Sequence, residues 1–311
     1  MKEQIIISSA CGDIGRAANV ILESTNHGYD LVNFDAFPKN NCKELNAVSI
    51  SPRANTKEFN GWVEDLLGDR SCAFYIPCSE PEIDTLSRAT TLANRNKIVW
   101  AGARVFQLLN DKLLASAFLE KHGFTVAPRV KWPLQTNENV FPCVVKPRFK
   151  SGSRSIFICN TPEEVNFAIS SIEYPIIQRL IPDENSEYTV AVYRDVEGET
   201  RVVNFKRVLL DGRTQRAELV VDQTVINMCK RLVSILDLVG SINIQIRKNA
   251  GINYIFEINP RFSSTLQARH LVGFCDLLWS LGIETINSQE EINSHHGAVL
   301  IRDSSGIFHL T

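Results

Sequence analysis

The chain has 311 residues, of which 44% are hydrophobic and 22% are charged, so it can bury a sizeable core in two or three structural units. Its formal net charge of −2 provides no broad basic surface, which argues against a nucleic-acid partner. The first apolar run, IIISSAC, is too short for a signal peptide, and no run reaches the roughly 18 residues that span a bilayer. The sequence therefore predicts a cytoplasmic protein with no membrane partner.

The first 104 residues alternate short apolar runs with helical segments. The runs IIIS, LVNF, CAFYIP and KIVWAG are typical of buried strands, and helices are expected over residues 15–24, 56–67 and 82–93. Strands that alternate with helices indicate a parallel sheet with crossover helices. We therefore predict a doubly wound, Rossmann-like α/β domain over residues 1–104.

The stretch ACGDIG places Gly12 and Gly15 at the turn into the first helix, and Asp35 ends the next apolar run. This pattern is close to the dinucleotide-binding motif, in which a glycine turn and a downstream acid hold NAD(P). Ala10 stands where the first glycine of a full motif belongs, so the match is incomplete. An NAD(P)-dependent oxidoreductase is one interpretation, and an acceptor carboxylate at the helix N-terminus is the other.

The eight cysteines are spread along the chain without a CxxC pair. Several of them lie in apolar, strand-like runs such as FPCVVKP. This distribution favours buried, reduced thiols over a metal or redox site.

From residue 105 the pattern changes to a helix over 105–122, several short β-rich runs, a second helix over 225–238 and a hairpin. This mixture predicts an α+β unit in the second part of the chain. The hairpin, INIQIRKNAGINYIFEINPRF, is the segment in which polar residues sort most clearly by face.

The hairpin has a predicted three-residue loop, Asn249-Ala250-Gly251, with Lys248 opposite Ile252. In this register, strand alternation separates two faces. The apolar face comprises Ile242, Ile244, Ile246, Ile252, Tyr254, Phe256 and Ile258. The largely polar face comprises Asn243, Gln245, Arg247, Asn253, Ile255, Glu257, Asn259 and Arg261.

The polar face carries oxygen ligands in a pattern that suits Mg²⁺. Gln245, Glu257 and Asn259 offer one carboxylate and two amide oxygens, which Mg²⁺ accepts when substrate phosphates and water complete its shell. Arg261 lies two residues further along the same face, where it can meet a transferring phosphoryl group. The alternative is an ordinary solvated sheet face.

The segment INIQIR…IFEINPR resembles the metal-binding hairpin of ATP-grasp enzymes, in particular that of the carbamoyl phosphate synthetase large-chain domains. The similarity runs in the family's order over most of the chain. The other matching segments are NDKLLASAFLEKHGFTVAP, VVKPRFKSGSRSIF, PIIQRLI and SEYTVAVYRD.

The resemblance implies a nucleotide site with a mobile lid. Lys112 and Lys146 would contact phosphates, and Lys146 would also reach the adenine edge. The backbone of Ser151, Gly152 and Ser153 would cover the phosphates, since a glycine-rich strand-loop-strand concentrates positive groups on a flexible backbone.

The resemblance also implies an adenine hinge and a ribose contact. The hinge, whose backbone would pair with adenine, is Gln178, Arg179 and Leu180, and Glu187 would bind the ribose. Many relatives have Glu where this chain has Gln178, which puts an acid-mediated contact with adenine in doubt.

In the resembling enzymes, the hairpin residues hold the metal and the reacting phosphate. Gln245, Glu257 and Asn259 would bind one or two Mg²⁺ ions, with Mn²⁺ as an alternative metal. Arg261 and Lys146 would be the catalytic residues, on the transferred phosphate of ATP.

The resemblance implies a pre-ATP-grasp domain over residues 1–104, an N-terminal ATP-grasp subdomain with the lid over 105–179, and a C-terminal subdomain with the metal site over 180–311. The implied activity is that of an ATP-dependent ligase. It would convert a small-molecule carboxylate into an acylphosphate and join it to an amine, with release of ADP and phosphate. The substrates would be small molecules, such as amino acids or sugar-tailoring substrates, and a homodimer is compatible with this prediction.

Two features leave alternatives open. A basic group that flanks the expected site could clamp an acceptor carboxylate or could simply be solvated. Its members are Lys206, Arg207, Arg213 and Arg216. A nucleotide-binding module or regulatory subunit without turnover is the alternative to a ligase, although the retained Glu257, Asn259 and Arg261 favour chemistry.

Overall fold

A computed structural model describes residues 2–38, 45, 47–134, 140–149, 155–182, 187–284 and 286–311. The N-terminal strands are β1 (Gln4–Ser8), β2 (Asp30–Asp35), β3 (Val48–Ile50) and β4 (Cys72–Pro77). The helices between and after them are α1 (Asp13–Glu23), α2 (Lys57–Gly68) and α3 (Glu80–Arg88). These strands form a parallel sheet in the order β3-β2-β1-β4.

A small antiparallel sheet follows two helices. The elements are α4 (Ala103–Asn110), α5 (Lys112–Lys121), β5 (Cys143–Pro147), β6 (Phe157–Cys159), α6 (Pro162–Ser171) and β7 (Pro175–Arg179). The strand order is β6-β5-β7. The single helix expected over 105–122 is wrong, because Asp111 caps α5: its carboxylate accepts hydrogen bonds from the amides of Leu113 and Leu114 at 3.0 and 3.3 Å.

The rest of the chain builds a larger antiparallel sheet. Its strands are β8 (Glu187–Arg194), β9 (Thr200–Leu210), β10 (Arg213–Leu219), β11 (Gly240–Asn249), β12 (Ile252–Asn259), β13 (Val299–Arg302) and β14 (Phe308–Leu310). The helices are α7 (Gln223–Leu236), α8 (Leu266–His270), α9 (Asp276–Ser280) and α10 (Gln289–Asn293). The sheet order is β12-β11-β8-β9-β10-β13-β14.

The parallel sheet and the large sheet share one hydrophobic core. A single buried cluster contains Ile5 and Ile7 of β1 together with Ala191 of β8 and Phe205 of β9. A second cluster packs α7 against the opposite side of β11, with Leu232 and Ile244 among its members. The large sheet is therefore covered on both faces, which explains the nearly continuous apolar runs of its central strands.

A buried ion pair lies beneath β11. The Arg269 guanidinium and the Asp276 carboxylate approach to 2.8 Å, and both side chains are withdrawn from solvent almost completely. The Ser241 hydroxyl of β11 donates a further hydrogen bond to Asp276 at 2.5 Å. This pair joins α8 and α9 to the start of β11.

The hairpin β11–β12 differs in register from the prediction. Asn249 pairs with Ile252, so the loop is Ala250-Gly251, and both loop residues have positive φ, 48° and 78°. This geometry suits a two-residue turn between twisted strands. A bulge after Gln245 then restores the alternation nearer the site.

The bulge changes which residues share a face. Ile255, predicted on the polar face, pairs with Ile246 and is buried in the core. Phe256 is the extra residue of the bulge, and Tyr254 and Ile252 do not join the core. The predicted faces were therefore wrong for the distal half of β12, because the shorter turn shifts its register by one residue.

Six of the cysteines are buried free thiols, as the sequence predicts. Cys11 contradicts that prediction because it is disulfide-bonded. None of the helices in the described parts of the chain is long and apolar enough to cross a bilayer.

Candidate functional site

The predicted metal ligands come together on the hairpin. Gln245 of β11 lies directly opposite Glu257 of β12, and Asn259 follows on the same face, opposite Asn243. Side chains paired in this way have Cβ atoms roughly 5 Å apart. Asn243 is itself fixed, because its amide oxygen accepts a hydrogen bond from Thr189 at 2.9 Å.

The donor set suits a hard cation that also carries phosphate oxygens. It offers one carboxylate and two amide oxygens, and phosphates and water would have to supply the remaining ligands. Among the described residues, no three His, Cys, Asp or Glu side chains gather into a metal-binding group. The set therefore fits Mg²⁺ held jointly by protein and nucleotide better than a metal enclosed by protein alone.

Lys146 connects the small sheet to this hairpin. Its side chain is buried, and Nζ donates a hydrogen bond to the carbonyl oxygen of Phe256 at 3.0 Å. Burial lowers the pKa of Lys146 to about 8, and the cations of Lys112 and Arg247 act in the same direction, whereas the Glu257 carboxylate opposes them. A buried lysine close to Glu257 and Lys112 is positioned to contact an anion that bridges the two sheets.

The start of α5 is tied to the end of β5. Asp111 accepts two hydrogen bonds from the Arg148 guanidinium, at 2.8 and 2.6 Å, and the Lys112 amide donates to the Arg148 carbonyl at 3.2 Å. Burial alone would raise the pKa of Asp111, but the hydrogen bonds from Arg148 and from two backbone amides hold it below its ordinary value. Lys112 therefore lies beside the strand end that leads into the predicted lid.

The lid residues themselves, Ser151, Gly152 and Ser153, lie outside the described residues.

The predicted hinge uses part of its backbone internally. The Arg179 amide donates to the Pro128 carbonyl at 2.8 Å, and the Leu180 amide donates to the Pro142 carbonyl at 3.1 Å. Gln178 is buried, and its amide nitrogen reaches the Ala127 carbonyl at 3.4 Å. These amide donors are thus occupied within the protein.

No role was expected from the sequence for the backbone amide of Ile181, the residue that follows the predicted hinge. The N–H of Ile181 finds no acceptor among the described residues, although Ile181 is buried. Its carbonyl accepts a hydrogen bond from Arg247 at 3.2 Å, which holds the segment in place. Within the described part of the chain, this amide is therefore available to a ring nitrogen of a ligand.

Glu187 lies between two arginines. One carboxylate oxygen accepts from Arg207 Nε at 3.0 Å, and the other accepts from Arg247 Nη2 at 2.9 Å. The acid is buried, so these charge-assisted bonds fix its orientation. Arg247 joins Glu187 to the Ile181 carbonyl, a role that could not be read from its position on the polar face of the hairpin.

Arg261 reaches the N-terminal part of the chain. Its Nη1 donates to the carbonyl of Phe262 at 2.8 Å, and its Nη2 lies 3.7 Å from the Glu80 carboxylate at the start of α3. The predicted phosphate-binding arginine therefore lies at the boundary between the large sheet and the parallel sheet.

The four basic candidates for an acceptor clamp do not converge. Arg207 pairs with Glu187, Arg216 with Glu218 at 3.0 Å, and Arg213 lies 3.6 Å from Asp13. Lys206 stands opposite Tyr188 on β8. The structure thus distributes these side chains over separate partners and does not bring them into one clamp.

The glycine turn before α1 is closely packed. A Cβ atom on Gly15 would lie 2.5 Å from the Ser9 carbonyl oxygen, so only glycine fits there. The Asp35 carboxylate accepts hydrogen bonds from the amides of Cys11 and Phe37 at 3.0 and 2.8 Å. The acid that would bind ribose in a nicotinamide enzyme is thus used to hold the turn.

Comparison with known proteins identifies the family. The model of the ATP-grasp domain family matches residues 109–265, which include the predicted hinge and metal residues. The carbamoyl phosphate synthase large chain of Thermotoga petrophila is 28% identical over 172 residues, and that of Thermotoga neapolitana is 30% identical over the same length. Each alignment covers 50% of this chain but only 16% of the relative.

Solved structures agree with this match. An N5-carboxyaminoimidazole ribonucleotide synthetase in complex with ADP has a TM-score of 0.74 at 17% identity, over 97% of this chain and 81% of its own. An L-amino acid ligase from Bacillus licheniformis has a TM-score of 0.71 at 14% identity, over 97% and 80%. A biotin carboxylase domain of Hydrogenobacter thermophilus, solved with MgADP and bicarbonate, has a TM-score of 0.71 at 13% identity, over 97% and 75%. The predicted mixed α/β ATP-grasp fold is confirmed.

Proposed function

Because the chain belongs to the ATP-grasp family, we propose that it is an ATP-dependent ligase that activates a small-molecule carboxylate and joins it to an amine. The observation that carries this proposal is the pairing of Gln245 with Glu257, with Asn259 beside them, across from buried Lys146. This arrangement combines oxygen ligands for a cation with a buried positive charge, which is what the reacting end of a triphosphate requires.

The ligands of the similar structures support ATP and Mg²⁺ as the bound molecules. One of those proteins was solved with ADP and another with MgADP and bicarbonate. In this chain we assign one or two Mg²⁺ ions, or Mn²⁺, to Gln245, Glu257 and Asn259. When bound, the metal would neutralise charge on the phosphates.

The phosphates are assigned to cations from three parts of the chain. Lys112 begins α5, Lys146 lies on β5, and Arg261 follows β12. We further propose that Ser151, Gly152 and Ser153 cover the phosphates and exclude water, which would otherwise hydrolyse an acylphosphate.

The nucleoside is assigned to the hinge. Gln178, Arg179 and Leu180 would offer backbone carbonyls to adenine, the Ile181 amide would donate to a ring nitrogen, and Glu187 would bind the ribose. Each Glu187 oxygen already accepts two N–H groups from an arginine, so a ribose hydroxyl would have to replace or share one of these hydrogen bonds.

The proposed units are a Rossmann-like pre-ATP-grasp domain over 1–104, a lid subdomain over 105–179 and a metal-binding subdomain over 180–311. The parallel strand order and the three separate sheets support this division. Arg261, 3.7 Å from Glu80, would then lie where the first unit faces the third.

The reaction would proceed in two balanced steps. A carboxylate oxygen attacks the γ-phosphorus, the bond from that phosphorus to the bridging oxygen breaks, and ADP leaves. The amine nitrogen then attacks the acyl carbon, the carbon–oxygen bond to phosphate breaks, and the amine loses a proton. Lys146 and Arg261 would hold the phosphoryl oxygens in line and stabilise their charge, which is the main requirement of phosphoryl transfer.

The Glu257→Gln variant tests the metal site, because it removes the only carboxylate of the donor set. We expect ADP release to fall at least 100-fold, measured with a coupled assay across a panel of carboxylate and amine pairs. Glu163→Gln, which changes an exposed carboxylate on α6, is the matched control and should keep wild-type turnover. Wild-type turnover in Glu257→Gln would show that the assigned metal site is wrong.

Ligand-induced stabilisation separates the other interpretations. A ligand that binds the native state raises the melting temperature, so MgATP should do so and NADH should not. Stabilisation by MgATP without ADP release from any pair of a broad panel would identify a nucleotide-binding module instead of a ligase. Stabilisation by NADH alone would favour the oxidoreductase interpretation.

A further inference from the structure

A cavity of about 530 Å³ is lined in part by Arg261 and lies away from the proposed adenine and ribose contacts. One wall comes from the N-terminal part and includes Phe74, Ile83 and Trp100. The facing wall includes Tyr193 and Trp279 of the large-sheet part. The cavity is therefore bounded by both parts of the molecule, at the point where they meet.

The position of the cavity along β8 separates it from the adenine hinge. Glu187 is the first residue of β8, and Tyr193 lines the cavity six residues later. At about 3.3 Å per residue, the two lie roughly 20 Å apart. Lys146, Gln178 and Glu187 do not line the cavity, whereas Arg261 does. The proposed phosphate-binding arginine is thus the residue that the two sites share.

The walls of the cavity are largely aromatic and aliphatic. Tyr193 and Trp279 pack with ring centroids 5.4 Å apart, and Phe74, Trp100 and Phe262 add further rings. A volume of this size holds a small organic molecule. Aromatic faces attract organic cations as well as apolar groups.

The charged groups that line the cavity are mostly acidic. Asp195, Glu197 and Glu284 are carboxylates, and Arg261, which lies 3.7 Å from Glu80, is the fourth charged residue of the lining. A second anion would meet an excess of negative charge here, whereas an ammonium group would be attracted.

We propose that this cavity binds the amine substrate, and that the substrate is a cationic amine with an apolar or aromatic body. This inference rests on the proposed ligase function, since it assigns the nucleophile of that reaction. The amine would bind as an ammonium ion beside the three carboxylates, with its apolar body against the aromatic walls, and would release one proton to water before the neutral nitrogen attacks the acylphosphate. Arg261 at the shared boundary would place the acylphosphate within reach of the amine.

Two probes of opposite charge test the proposal in the absence of nucleotide. They are 2-phenylethylamine and 3-phenylpropanoate, which share a ring and a two-carbon linker. We expect 2-phenylethylamine to bind the full chain at least tenfold more tightly than 3-phenylpropanoate, measured by calorimetry at pH 7.5. Equal affinities would overturn the proposal. Failure to detect binding of the amine at ten times the concentration at which the anion binds would also overturn it.

Variants of the cavity mouth locate the binding. Val196 lines the cavity and is 77% exposed, so Val196→Trp should fill the mouth without disturbing the core. We expect it to weaken 2-phenylethylamine binding at least tenfold, and Glu197→Gln to weaken it about threefold. Glu199→Gln is the matched control, because it changes an exposed carboxylate near the same turn that does not line the cavity. Unchanged amine affinity in both cavity variants would overturn the assignment.

Failure of the cavity assignment can be distinguished from failure of the ligase proposal. If Val196→Trp loses amine binding while the wild type releases no ADP with any substrate pair, the ligase function is contradicted but the cavity assignment is not. Once a substrate pair is known, Val196→Trp should raise the KM for the amine at least tenfold and leave the KM for ATP unchanged. An increase in the KM for ATP alone would contradict the separation of the two sites.

Discussion

Two groups of charges close to β11 differ in how their charges are stabilised. Near its distal half lies a site cluster of cations and carboxylates. Its members are Lys112, Lys146, Arg207, Arg247, Glu187 and Glu257. Near its first residues, Arg269 and Asp276 form a core pair of equal and opposite charge that is closed to solvent.

The difference separates a closed pair of structural charges from a cluster in which burial disfavours the charge of Lys146. In the core pair each charge has its partner, and Ser241 adds a hydrogen bond. In the site cluster, burial lowers the pKa of Lys146 to about 8, and the cations of Lys112 and Arg247 act in the same direction. A buried cation is unfavourable unless an anion stabilises it. Binding of a polyanion would give a physical reason for a lysine at this position.

The largest expected effect comes from breaking the core pair. Arg269→Met leaves a buried carboxylate without its partner, which costs about 3–5 kcal/mol. The free energy of unfolding, measured in urea, should fall by this amount, while MgATP affinity per folded molecule stays unchanged. The double variant Arg269→Met/Asp276→Leu should recover most of the loss. A single variant as stable as the wild type would remove the contrast between the two groups of charges.

In the site cluster, the charge of Lys146 should lower the stability of the fold, whereas the charges of the core pair support it. Its folded pKa of about 8 lies below the ordinary value of 10.5, so the unfolded chain binds this proton more tightly. The contribution of Lys146 is therefore destabilising below pH 8, and stability should rise as the pH increases between the two values, by at most about 3 kcal/mol. Urea unfolding of wild type and Lys146→Met between pH 7.5 and 10.5 isolates this contribution as their difference.

Lys121→Met, which changes a lysine at the end of α5, is the control for that series and should show no such difference. A difference in unfolding free energy between wild type and Lys146→Met that stays constant from pH 7.5 to 10.5 would mean that Lys146 is not disfavoured as a cation. The same titration should weaken MgATP binding above pH 8, because the neutral amine no longer attracts phosphate.

The smallest of these effects concerns Arg247, which acts through its neighbours. Arg247→Gln loses the bond to Glu187 and the support of the Ile181 carbonyl. We expect the affinity for MgATP to fall about tenfold, or about 1.4 kcal/mol, with little change in kcat. Arg88→Gln, at an exposed ion pair on α3, is the matched control. An effect on kcat with unchanged ATP affinity would place Arg247 at the reacting phosphate instead.

Much of the fold followed from local pattern. The polar alternation around Gln245, Glu257 and Asn259 identified the hairpin, because side-chain direction in a strand has a period of two. The family was identified from FEINPRF and the ordered segments around it, and the ATP-grasp match confirms it. The assignments of individual site residues stay predictions.

Other features depend on long-range geometry that local pattern does not encode. The two-residue turn at Ala250 and the bulge after Gln245 each shift the register by one residue, so the shared face near the site is predicted correctly although the pairs there differ by two residues, and the distal face is wrong. Glu187 pairs with Arg207 and Arg247, which are 20 and 60 residues away in sequence. The helix break at Asp111 had a local signal, an N-cap residue, but apolar periodicity continues through it.

The bulge in β12 limits how the length of this hairpin can change during evolution. Phe256 has no partner opposite it on β11, and its carbonyl accepts a hydrogen bond from the Lys146 ammonium group. Deleting one residue there would restore a regular ladder, move Glu257 away from Gln245 and remove the acceptor that joins the two sheets. An ammonium group has three N–H donors, so one can hold this joint while two remain for phosphate oxygens. A change in the length of the hairpin should therefore disrupt the site more than a substitution away from Gln245, Glu257 and Asn259, and its length should vary less than its composition among functional variants.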